Sequence, residues 1–587
     1  MYDLLFRNAK VVDGSGDPAY TADVAITGDQ IVKIGRLEDA EAKRIINLEG
    51  KVLAPGFIDM HSHSDTVILA YPQMESMLYQ GITTFVGCQC GHSIAPVGRL
   101  WEASQAFYDL QCKISDKLYP DMYADDYYVP SEKAIELIEK EWGFRPDWSS
   151  MGEFLDEVDK KGLSGNIITL SGYNTLRMNA ADPDQPSKLG EEQKRWLKNQ
   201  IHKDIEGGAF GMSTGLDYKP GVFTDTAELM DMASVLKTYD GIYFSHWRKT
   251  GQRTGTPKRQ KKIEGIKEVL EIGMVNGIQV QISHISSGFD VFPAYDKYMQ
   301  NVAAIRTLQV VDEYIDRGAR AYMDVIPNIY GGTILAPDLM SLFRPWYMFS
   351  GGITPFAKQL AYPDFRKPII DTINKGQFFR LNPVANPDWD ENFTVIRAKD
   401  GNLVGRTIQD IAAKRKVSSL DTLFDLLQED PKIKVFSTSY GMTKQSVQTF
   451  LNHPRAAVGN DTFVYNMTST MGYDPEFPNK RPSPNTYCGF IKFLTEFGMP
   501  RLEDSIYKLS GLPAKILRLS DRGIIKEGFR ADVVALDYNN LRTNENLIDT
   551  MVYPTGVEYV AVNGTLVIDN GQHTGQKPGG SIRFYNK

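Results

Sequence analysis

The sequence predicts an α/β fold: a (β/α)8 barrel of the TIM type combined with a small β-sandwich domain built from both ends of the chain. Three observations lead to this prediction. Short apolar runs alternate with helix-like segments through the middle of the 587 residues, both ends are rich in β-branched runs, and side chains able to bind metal follow the apolar runs. Alternating strands and helices are typical of a parallel sheet, and barrels of this type carry their chemistry at the carboxyl ends of the strands.

The composition is that of an ordinary globular protein, with 42% hydrophobic and 24% charged residues. A net charge of −8 gives no basic surface for nucleic acid or an anionic membrane. We find no run of about 18 apolar residues and no secretory signal. Four cysteines in so long a chain do not make a disulfide framework. We therefore expect a protein of the reducing cytoplasm that binds neither nucleic acid nor membrane.

Both ends of the chain predict the small β domain. The β-branched runs are separated by turn residues and cover 3–12, 22–26, 30–34, 531–536, 559–562 and 565–568. Asn563-Gly564, between the last two runs, is a strong hairpin signal. The expected domains are a first sandwich segment at 1–54, a barrel at 55–519 and a second sandwich segment at 520–587.

Eight short apolar runs between the two ends predict the barrel strands. They cover 57–60, 81–87, 166–170, 209–212, 241–244, 278–282, 321–326 and 456–458. Helical patterns such as the one at 263–272 lie between them. Eight such units are the number that closes a (β/α)8 barrel.

Two histidines one residue apart end the first run, in Gly56-Phe-Ile-Asp-Met-His61-Ser-His63. In an extended strand, residues i and i+2 project to the same face, so both imidazoles can reach one ion. A bare His-x-His pair is more often an incidental surface pair. The position at the end of a predicted barrel strand favours a metal site instead.

Further candidate ligands follow other predicted strands: Cys90 the second, His246 the fifth, His284 the sixth and Asp461 the eighth. Thiolate and imidazole ligands suit zinc, and a catalytic zinc site keeps one position open for water. The sequence Cys88-Gln-Cys90 leaves open whether both cysteines, one or neither bind metal. His92 fits a supporting or packing role better than ligation. The turn-like sequence around Asp461, Gly-Asn-Asp, carries little weight alone.

These motifs resemble the D-aminoacylase branch of the amidohydrolase superfamily over nearly the whole chain. The matching segments are Gly56-Phe-Ile-Asp-Met-His-Ser-His-Ser-Asp65, Gly81-Ile-Thr-Thr84 leading to Cys90-Gly91, Gly211-Met-Ser-Thr-Gly-Leu-Asp-Tyr-Lys-Pro-Gly221, Ser283-His284 and Gly511-Leu-Pro-Ala514. The resemblance implies an amidohydrolase-type barrel with its small sandwich. It also implies a hydrolase whose partner is a small-molecule amide, an N-acyl-amino acid or a derivative of one.

The resemblance further implies a role for each candidate site residue. Cys90, His246 and His284 correspond to the ligands of a tightly held Zn2+, with the cysteine in place of the carboxylated lysine of many relatives. His61 and His63 correspond to a second, weaker metal position, and Asp461 to the catalytic acid/base. Zinc activates water and polarises an amide carbonyl, and one carboxylate can move the proton.

The residues expected to hold the substrate depart from that branch. Lys, Tyr and Arg side chains that would grip a free carboxylate are replaced here by Ser286, by Ile326 or Asn328, and by Asn485. Tyr487, two residues after Asn485, keeps a tyrosine of the branch. Asparagine cannot supply the charge with which arginine binds a carboxylate. Arg177 and Arg248 are candidate replacements, although the branch has arginines there too.

Two insertions, at 99–147 and 331–405, are rich in aromatic residues. Loops on the active face of a barrel carry specificity, so a lid with an apolar pocket is one interpretation. Extra packing or a homo-oligomer interface is the other. Poor activity on small N-acetyl-D-amino acids and better activity on larger, apolar amides is the substrate preference that the lost cations predict.

Two other functions stay open from the sequence. The first is an amidohydrolase that acts on a neutral or cyclic amide or an ester, because the carboxylate-binding residues are replaced. The second is a non-catalytic scaffold, against which the complete ligand set argues. A serine nucleophile is disfavoured because the chain has no Gly-x-Ser-x-Gly sequence.

Overall fold

The middle of the chain forms a closed barrel of parallel strands. The computed structural model describes residues 1–102, 128–181, 189–217, 220–249, 262–291, 297–330, 339–375, 383, 389–437, 442–467, 482–548 and 550–584. The barrel strands are Phe57–Asp59, Ile82–Val86, Asn166–Ile168, Gly211–Gly215, Ile242–His246, Gln279–Ile282, Ala321–Val325 and Ala456–Val458. Each pairs in parallel with the next, the third through its continuation Ser171–Gly172, and a bridge between Ser62 and Thr462 joins first and eighth. The predicted barrel is confirmed.

The barrel strands are almost entirely buried because both of their faces are covered. Every residue of Ile82–Val86 and of Ile242–His246 is buried. β-Branched and aromatic residues favour the extended backbone, and parallel strands flanked by helices have no solvent face. Gly211 allows the fourth strand to approach the fifth, since a Cβ there would lie 1.9 Å from the carbonyl oxygen of Ile242.

Helices alternate with the strands along the chain. The α-helices are Glu75–Leu78, Ser131–Trp142, Met151–Lys161, Tyr173–Ala180, Glu191–Glu206, Thr226–Ala233, Leu236–Tyr239, Lys262–Asn276, Lys297–Asp316, Arg344–Phe349, Ile353–Gln359, Pro363–Asn374, Ile408–Arg415, Ser419–Glu429, Lys444–Asn452, Asn485–Lys492, Leu502–Leu509 and Gly511–Leu517. The side chain of Ser150 accepts a hydrogen bond from the backbone N–H of Glu153 and begins one of them, and Gly162, with φ of 69°, ends it. None of the helices within the described ranges is long and apolar enough to cross a membrane.

Strands from both ends of the chain form one nine-stranded sheet. They are Tyr2–Val11, Tyr20–Thr27, Gln30–Gly35, Ala42–Asn47, Val52–Pro55, Val533–Leu536, Val557–Val562, Thr565–Asp569 and Gln572–His573. Side chains alternate along the strands, so Val533 and Ala535 join Phe6 in the core of this domain. Val534 and Leu536 belong instead to the barrel core. The predicted small β domain is confirmed.

A separate core lies between the seventh and eighth barrel strands. Its buried apolar residues run from Leu339 to Val435, and the antiparallel strands Phe393–Arg397 and Lys434–Ser437 belong to it. This core therefore extends beyond residue 405, where the insertion was expected to end, through the helices Ile408–Arg415 and Ser419–Glu429 to the strand Lys434–Ser437. Its first residues, 331–338, lie outside the described part of the chain.

The other predicted insertion is described only at its two ends. Leu100–Glu102 pairs antiparallel with Tyr128–Pro130, and the helix Ser131–Trp142 follows. Residues 103–127, which contain most of its predicted aromatic residues, lie outside the described residues.

Candidate metal centre

Cys90 lies at the centre of a buried cluster at the carboxyl ends of the barrel strands. Its Sγ is 3.4 Å from Nε2 of His61, 3.5 Å from Nδ1 of His246 and 3.5 Å from Nε2 of His284. All four side chains are buried. They follow different strands, and the closed barrel brings the ends of those strands together. The predicted ligands therefore meet at one point.

Asp59, the last residue of the first strand, fixes the position of the two histidines after it. Its Oδ1 accepts hydrogen bonds from the backbone N–H of His61 at 3.1 Å and of Asn460 at 3.0 Å. The carboxylate thus ties the first strand to the end of the eighth. The ring centroids of His61 and His63 are 5.5 Å apart, as expected for two side chains on the same side of an extended segment.

Several residues of the cluster have left-handed backbone. The φ angles are 55° at Cys90, 33° at His284 and 51° at Asp461. Non-glycine residues rarely adopt this region, and each such residue costs on the order of 1–3 kcal/mol. Gly91 follows Cys90 with φ of 78°, and a Cβ on it would lie 2.2 Å from Oδ1 of Asn174. The fold therefore holds these side chains in place against a conformational cost, as ligand-binding sites commonly do.

The donor atoms fit a metal ion. Nitrogen and sulfur ligands at about 2.0–2.3 Å from a tetrahedral zinc stand roughly 3.5 Å apart, which matches the three distances from Cys90 Sγ. The ligand atoms of Cys90, His246 and His284 lie within 4.8 Å of one another, as do those of His61, His63 and Cys90. Cys90 belongs to both groups.

Carboxylates lie beside the ring nitrogens of two histidines, on the side away from Cys90. Asp324 Oδ1 is 3.2 Å from Nδ1 of His61, and Asp217 Oδ2 is 3.5 Å from Nε2 of His246. In each ring this is the nitrogen that does not face Cys90. Such a carboxylate fixes the tautomer and orientation of a metal-binding imidazole. His284 differs, because its second nitrogen, Nδ1, lies 2.9 Å from Nζ of Lys249.

The protonation states suit metal binding. Burial raises the pKa of Cys90, but the imidazoles of His61 and His246 outweigh burial and hold this pKa well below its usual range. Burial, together with the ammonium of Lys249, lowers the pKa of His284 to about 4. A thiolate and a neutral imidazole are the forms that bind metal.

Asp461 follows the eighth strand and faces the two histidines of the first. Its Oδ1 is 3.2 Å from Nε2 of His63 and 3.6 Å from Nε2 of His61. Burial raises the pKa of Asp461, but these two imidazoles outweigh burial and lower it to about 2. The side chain is 14% exposed, whereas that of His61 is fully buried. An ionised carboxylate with some access to solvent, placed beside a metal cluster, can exchange protons with water or substrate.

Both predicted arginines are paired with glutamates. Arg177, fully buried, donates from Nε to Glu228 at 3.0 Å. Arg248 donates from Nε to Glu268 at 3.3 Å and from Nη2 to the carbonyl oxygen of Thr224 at 2.8 Å. Their charges are therefore balanced within the protein, which disfavours either as the anchor of a substrate carboxylate.

The other predicted substrate residues lie in different surroundings. Ser286 is partly exposed, two residues after His284. Asn328 is buried beyond the seventh strand; its Oδ1 accepts a hydrogen bond from the backbone N–H of Tyr330 at 2.6 Å, and its Nδ2 has no hydrogen-bond partner within the described residues. Asn328 thus presents an unsatisfied donor near the carboxyl end of a barrel strand.

Asn485 and Tyr487 lie in the helix Asn485–Lys492, and both are buried. Asn485 donates from Nδ2 to the carbonyl oxygen of Asn460 at 3.4 Å, so it contacts the backbone just before Asp461. The Tyr487 hydroxyl donates to the carbonyl oxygen of Asn466 at 3.2 Å. These contacts link the helix to the segment after the eighth strand and do not by themselves make a substrate site.

Cys88 belongs to none of the ligand groups found among the described residues. Burial raises the pKa of its thiol well above the usual range, and its backbone N–H donates to Oδ1 of Asp65 at 2.8 Å. His92 is buried as well and likewise lies outside those groups. Of the alternatives left open for Cys88-Gln-Cys90, this geometry favours one ligand.

Sequence reasoning missed four residues that support the centre. They are Asp59, Asp217, Asp324 and Lys249. The aspartates carried a usable signal, because each lies in or just after a barrel strand, as the ligands do. Lys249 carried none, since nothing in the sequence relates it to a histidine 35 positions later.

Known amidohydrolases resemble this chain along its whole length. A protein-family model with the description "Amidohydrolase family" matches residues 44–111. D-aminoacylase of Alcaligenes xylosoxydans xylosoxydans is 24% identical over 98% of this chain and 97% of its own length. N-acyl-D-glutamate deacylase of the same organism is 25% identical over 99% and 96%. N-acyl-D-glutamate deacylase from Bordetella bronchiseptica, solved with zinc and a phosphonate inhibitor, has a TM-score of 0.68 at 21% identity and covers 99% of both chains.

Fold, cluster and relatives together support a hydrolase that acts on carbon–nitrogen bonds other than peptide bonds. The chain is similar to the D-aminoacylase branch of the amidohydrolases over its whole length.

Proposed function

We propose that this protein is a zinc-dependent amidohydrolase that cleaves the amide bond of an N-acyl-amino acid or a derivative of one. The cluster of three imidazole nitrogens 3.4–3.5 Å from Cys90 Sγ, with Asp461 beside it, carries the proposal. The names of the full-length relatives, D-aminoacylase and N-acyl-D-glutamate deacylase, support this class of substrate.

Cys90, His246 and His284 would hold one zinc ion tightly, and His61 and His63 would complete a second, weaker position. The resemblance to the D-aminoacylase branch implies this order, and the protons that a metal must displace support it. Burial lowers the pKa of His63, but Asp461 and Cys90 outweigh burial and raise it to about 9, whereas that of His284 is about 4. When bound, zinc polarises a carbonyl group and lowers the pKa of a water molecule from about 15.7 to about 7.

Asp461 would act as the general acid/base. Its carboxylate would take a proton from the attacking water and deliver it to the leaving nitrogen as the carbon–nitrogen bond breaks. The contact of 3.2 Å with Nε2 of His63 would orient it for both transfers. We assign this chemistry to a barrel at 55–519, with segments 1–54 and 520–587 as the supporting sandwich.

A neutral or cyclic amide, or an ester, is the second candidate substrate class. The pairing of Arg177 with Glu228 and of Arg248 with Glu268 favours it, because these arginines are then poor anchors for an anion. Ser286, Asn328 and Asn485 carry no charge.

A substrate panel tests the proposal. The purified protein would be assayed for bound zinc and for release of free amine from N-acetyl and long-chain N-acyl derivatives of D- and L-amino acids, beside their carboxamides and esters. We expect metal-dependent release that the Asp461→Asn variant lacks. A folded, zinc-loaded protein that hydrolyses no member of the panel would refute the proposal, and hydrolysis of the neutral members alone would favour the second class.

A further inference from the structure

Ser213, in the middle of the fourth barrel strand, contacts the loop that carries Cys90. Its side chain is buried, and its hydroxyl donates to the carbonyl oxygen of Cys88 at 2.5 Å. The same oxygen accepts a hydrogen bond from the backbone N–H of Gly91 at 3.0 Å. These two backbone groups lie on either side of Cys90 along the chain. A single side-chain oxygen therefore bridges the loop across the candidate metal ligand.

The bridge depends on the chemistry of a hydroxyl group. A hydroxyl has one proton to donate and lone pairs that accept, so one atom can bind a carbonyl oxygen and an N–H together. Both backbone groups are in a buried part of the protein, where a polar group without a partner is costly. Alanine at position 213 would keep the Cβ atom and lose both hydrogen bonds.

The backbone of this loop is in a conformation that needs support. The φ angles are 58° at Cys88, 55° at Cys90 and 78° at Gly91. Glycine adopts this left-handed region readily, but the two cysteines do so only at a conformational cost. Without tertiary contacts the loop would relax towards more favoured backbone angles, and the direction of the Cys90 side chain would change with it.

Two other hydrogen bonds hold the ends of the loop from outside. The backbone N–H of Cys88 donates to Oδ1 of Asp65 at 2.8 Å, and the backbone N–H of Thr175 donates to the carbonyl oxygen of Gly91 at 3.1 Å. Each of these bonds reaches one end of the loop. The Ser213 hydroxyl reaches both ends and so fixes the position of one relative to the other.

We infer that Ser213 is a positioning residue for the metal centre, because its bridge fixes the direction in which Sγ of Cys90 points. The inference rests on the proposed function, since it takes Cys90 as a zinc ligand. Sγ lies 3.5 Å from Nδ1 of His246 and 3.5 Å from Nε2 of His284, and a rotation of the loop would change both distances. Ser213 thus acts on the metal through the loop backbone.

Zinc affinity tests this inference, measured by competition with a chelator. Ser213→Ala should weaken zinc binding about 10–100-fold, the range for residues that orient a metal ligand. Ser171→Ala is the matched control. Ser171 is a buried serine in the strand beside the fourth, and its hydroxyl donates to Oδ2 of Asp204 at 2.7 Å. We expect its zinc affinity to stay within about threefold of wild type. Equal losses in the two variants, or no loss in Ser213→Ala, would overturn the inference.

A double-mutant cycle shows whether Ser213 acts through Cys90. If it does, Ser213→Ala should have no further effect on zinc affinity, within about threefold, once Cys90 has been replaced by alanine. Losses that add would overturn the inference.

The absorption of the cobalt-substituted protein reports on the bond between sulfur and metal. The thiolate-to-cobalt band should change in Ser213→Ala and match wild type in Ser171→Ala, and an unchanged band would overturn the inference. So would a metal-free Ser213→Ala protein that does not fold where metal-free Ser171→Ala does, because the hydroxyl would then serve the fold as a whole.

The same variants separate this inference from the proposed function. Selective loss of zinc affinity in Ser213→Ala, together with a wild type that hydrolyses no amide or ester of the substrate panel, would support the inference and refute the proposed function. Zinc-dependent hydrolysis by wild type, with unchanged zinc affinity in Ser213→Ala, would support the function and overturn the inference.

Discussion

Replacement of Cys90 by alanine tests the centre most directly, because Cys88 provides a control two residues away. Both thiols are buried and both residues have left-handed backbone, with φ of 55° at Cys90 and 58° at Cys88. Alanine therefore removes the same buried atom from the same kind of backbone in each variant. Only the sulfur of Cys90 faces the imidazoles of His61, His246 and His284.

The expected loss of metal affinity follows from the number of ligands. In the proposed assignment, Cys90 would be one of three protein ligands at the tight position and the only one with a negative charge. Mutation of a residue that only orients a metal ligand lowers the metal affinity about 10–100-fold. Loss of the thiolate itself should therefore cost at least about a hundredfold, which is about 2.7 kcal/mol at 1.36 kcal/mol per tenfold. Cys88→Ala should leave the affinity within about threefold of wild type.

The assay is bound zinc, measured by plasma mass spectrometry after dialysis against a series of zinc buffers, with hydrolysis followed in parallel. The free energy of unfolding of the two variants, measured after a chelator has removed the metal, serves as a check that both are folded. Equal retention of zinc by the two variants would refute the assignment, as would loss of zinc from Cys88→Ala alone.

Three further predictions concern the residues around Cys90. Asp461→Asn should keep fold and zinc but lower kcat about 10²–10⁴-fold, because an amide cannot shuttle the proton; near-normal turnover of the loaded variant would exclude that role. Asp324→Asn should weaken zinc binding about 10–100-fold, because Asp324 supports His61. Asp204, a buried aspartate that accepts hydrogen bonds from Ser171 and Gln200, is the control, and Asp204→Asn should leave zinc binding unchanged. Equal effects of the two substitutions in a zinc titration would contradict this prediction. In the protein freed of metal by a chelator, the pKa of Asp461 is lowered to about 2 and that of His63 is raised to about 9. The corresponding values in the unfolded chain are about 3.9 and 6.5. The Asp461 carboxylate contributes stability above pH 3.9, and this contribution is lost as the pH falls towards 2. The His63 imidazolium contributes stability below pH 6.5, and this contribution is lost as the pH rises to 9. The Tm of wild type should therefore fall between pH 6.5 and 9, and the Tm of Asp461→Asn should fall by less. An equal fall of Tm in the two proteins would contradict the pairing of Asp461 with His63.

The barrel strands could be predicted because parallel strands with covered faces are continuous apolar runs. The sequence of Ala456–Val458 is wholly apolar, and that of Ile82–Val86 is apolar apart from two β-branched threonines; all residues of both strands are buried. Two of the missed sandwich strands lack such a signal. Ala42–Asn47 contains adjacent Lys and Arg residues and is mostly exposed, and Gln572–His573 has only two residues. Their strand conformation depends on pairing with distant parts of the chain, which local sequence does not encode.

The meeting of the candidate ligands at one point could be predicted for the same reason, since each lies at or beyond the end of a recognisable strand. Their supporting partners could not. The charge of Arg248 is balanced by Glu268, twenty positions later on a neighbouring helix, and this pairing weakens its candidacy as a carboxylate anchor. Lys249 is a further example, because 35 positions separate it from His284 and only the folded barrel brings the two side chains together.

The support of the candidate ligand histidines is asymmetric. Carboxylates of Asp324 and Asp217 face the second nitrogens of His61 and His246, whereas the second nitrogen of His284 lies 2.9 Å from the ammonium of Lys249. A carboxylate beside an imidazole favours the binding of a cation, and an ammonium opposes it. The charge of the Cys90 thiolate, which faces His284 at 3.5 Å, would have to offset that ammonium when a metal ion binds.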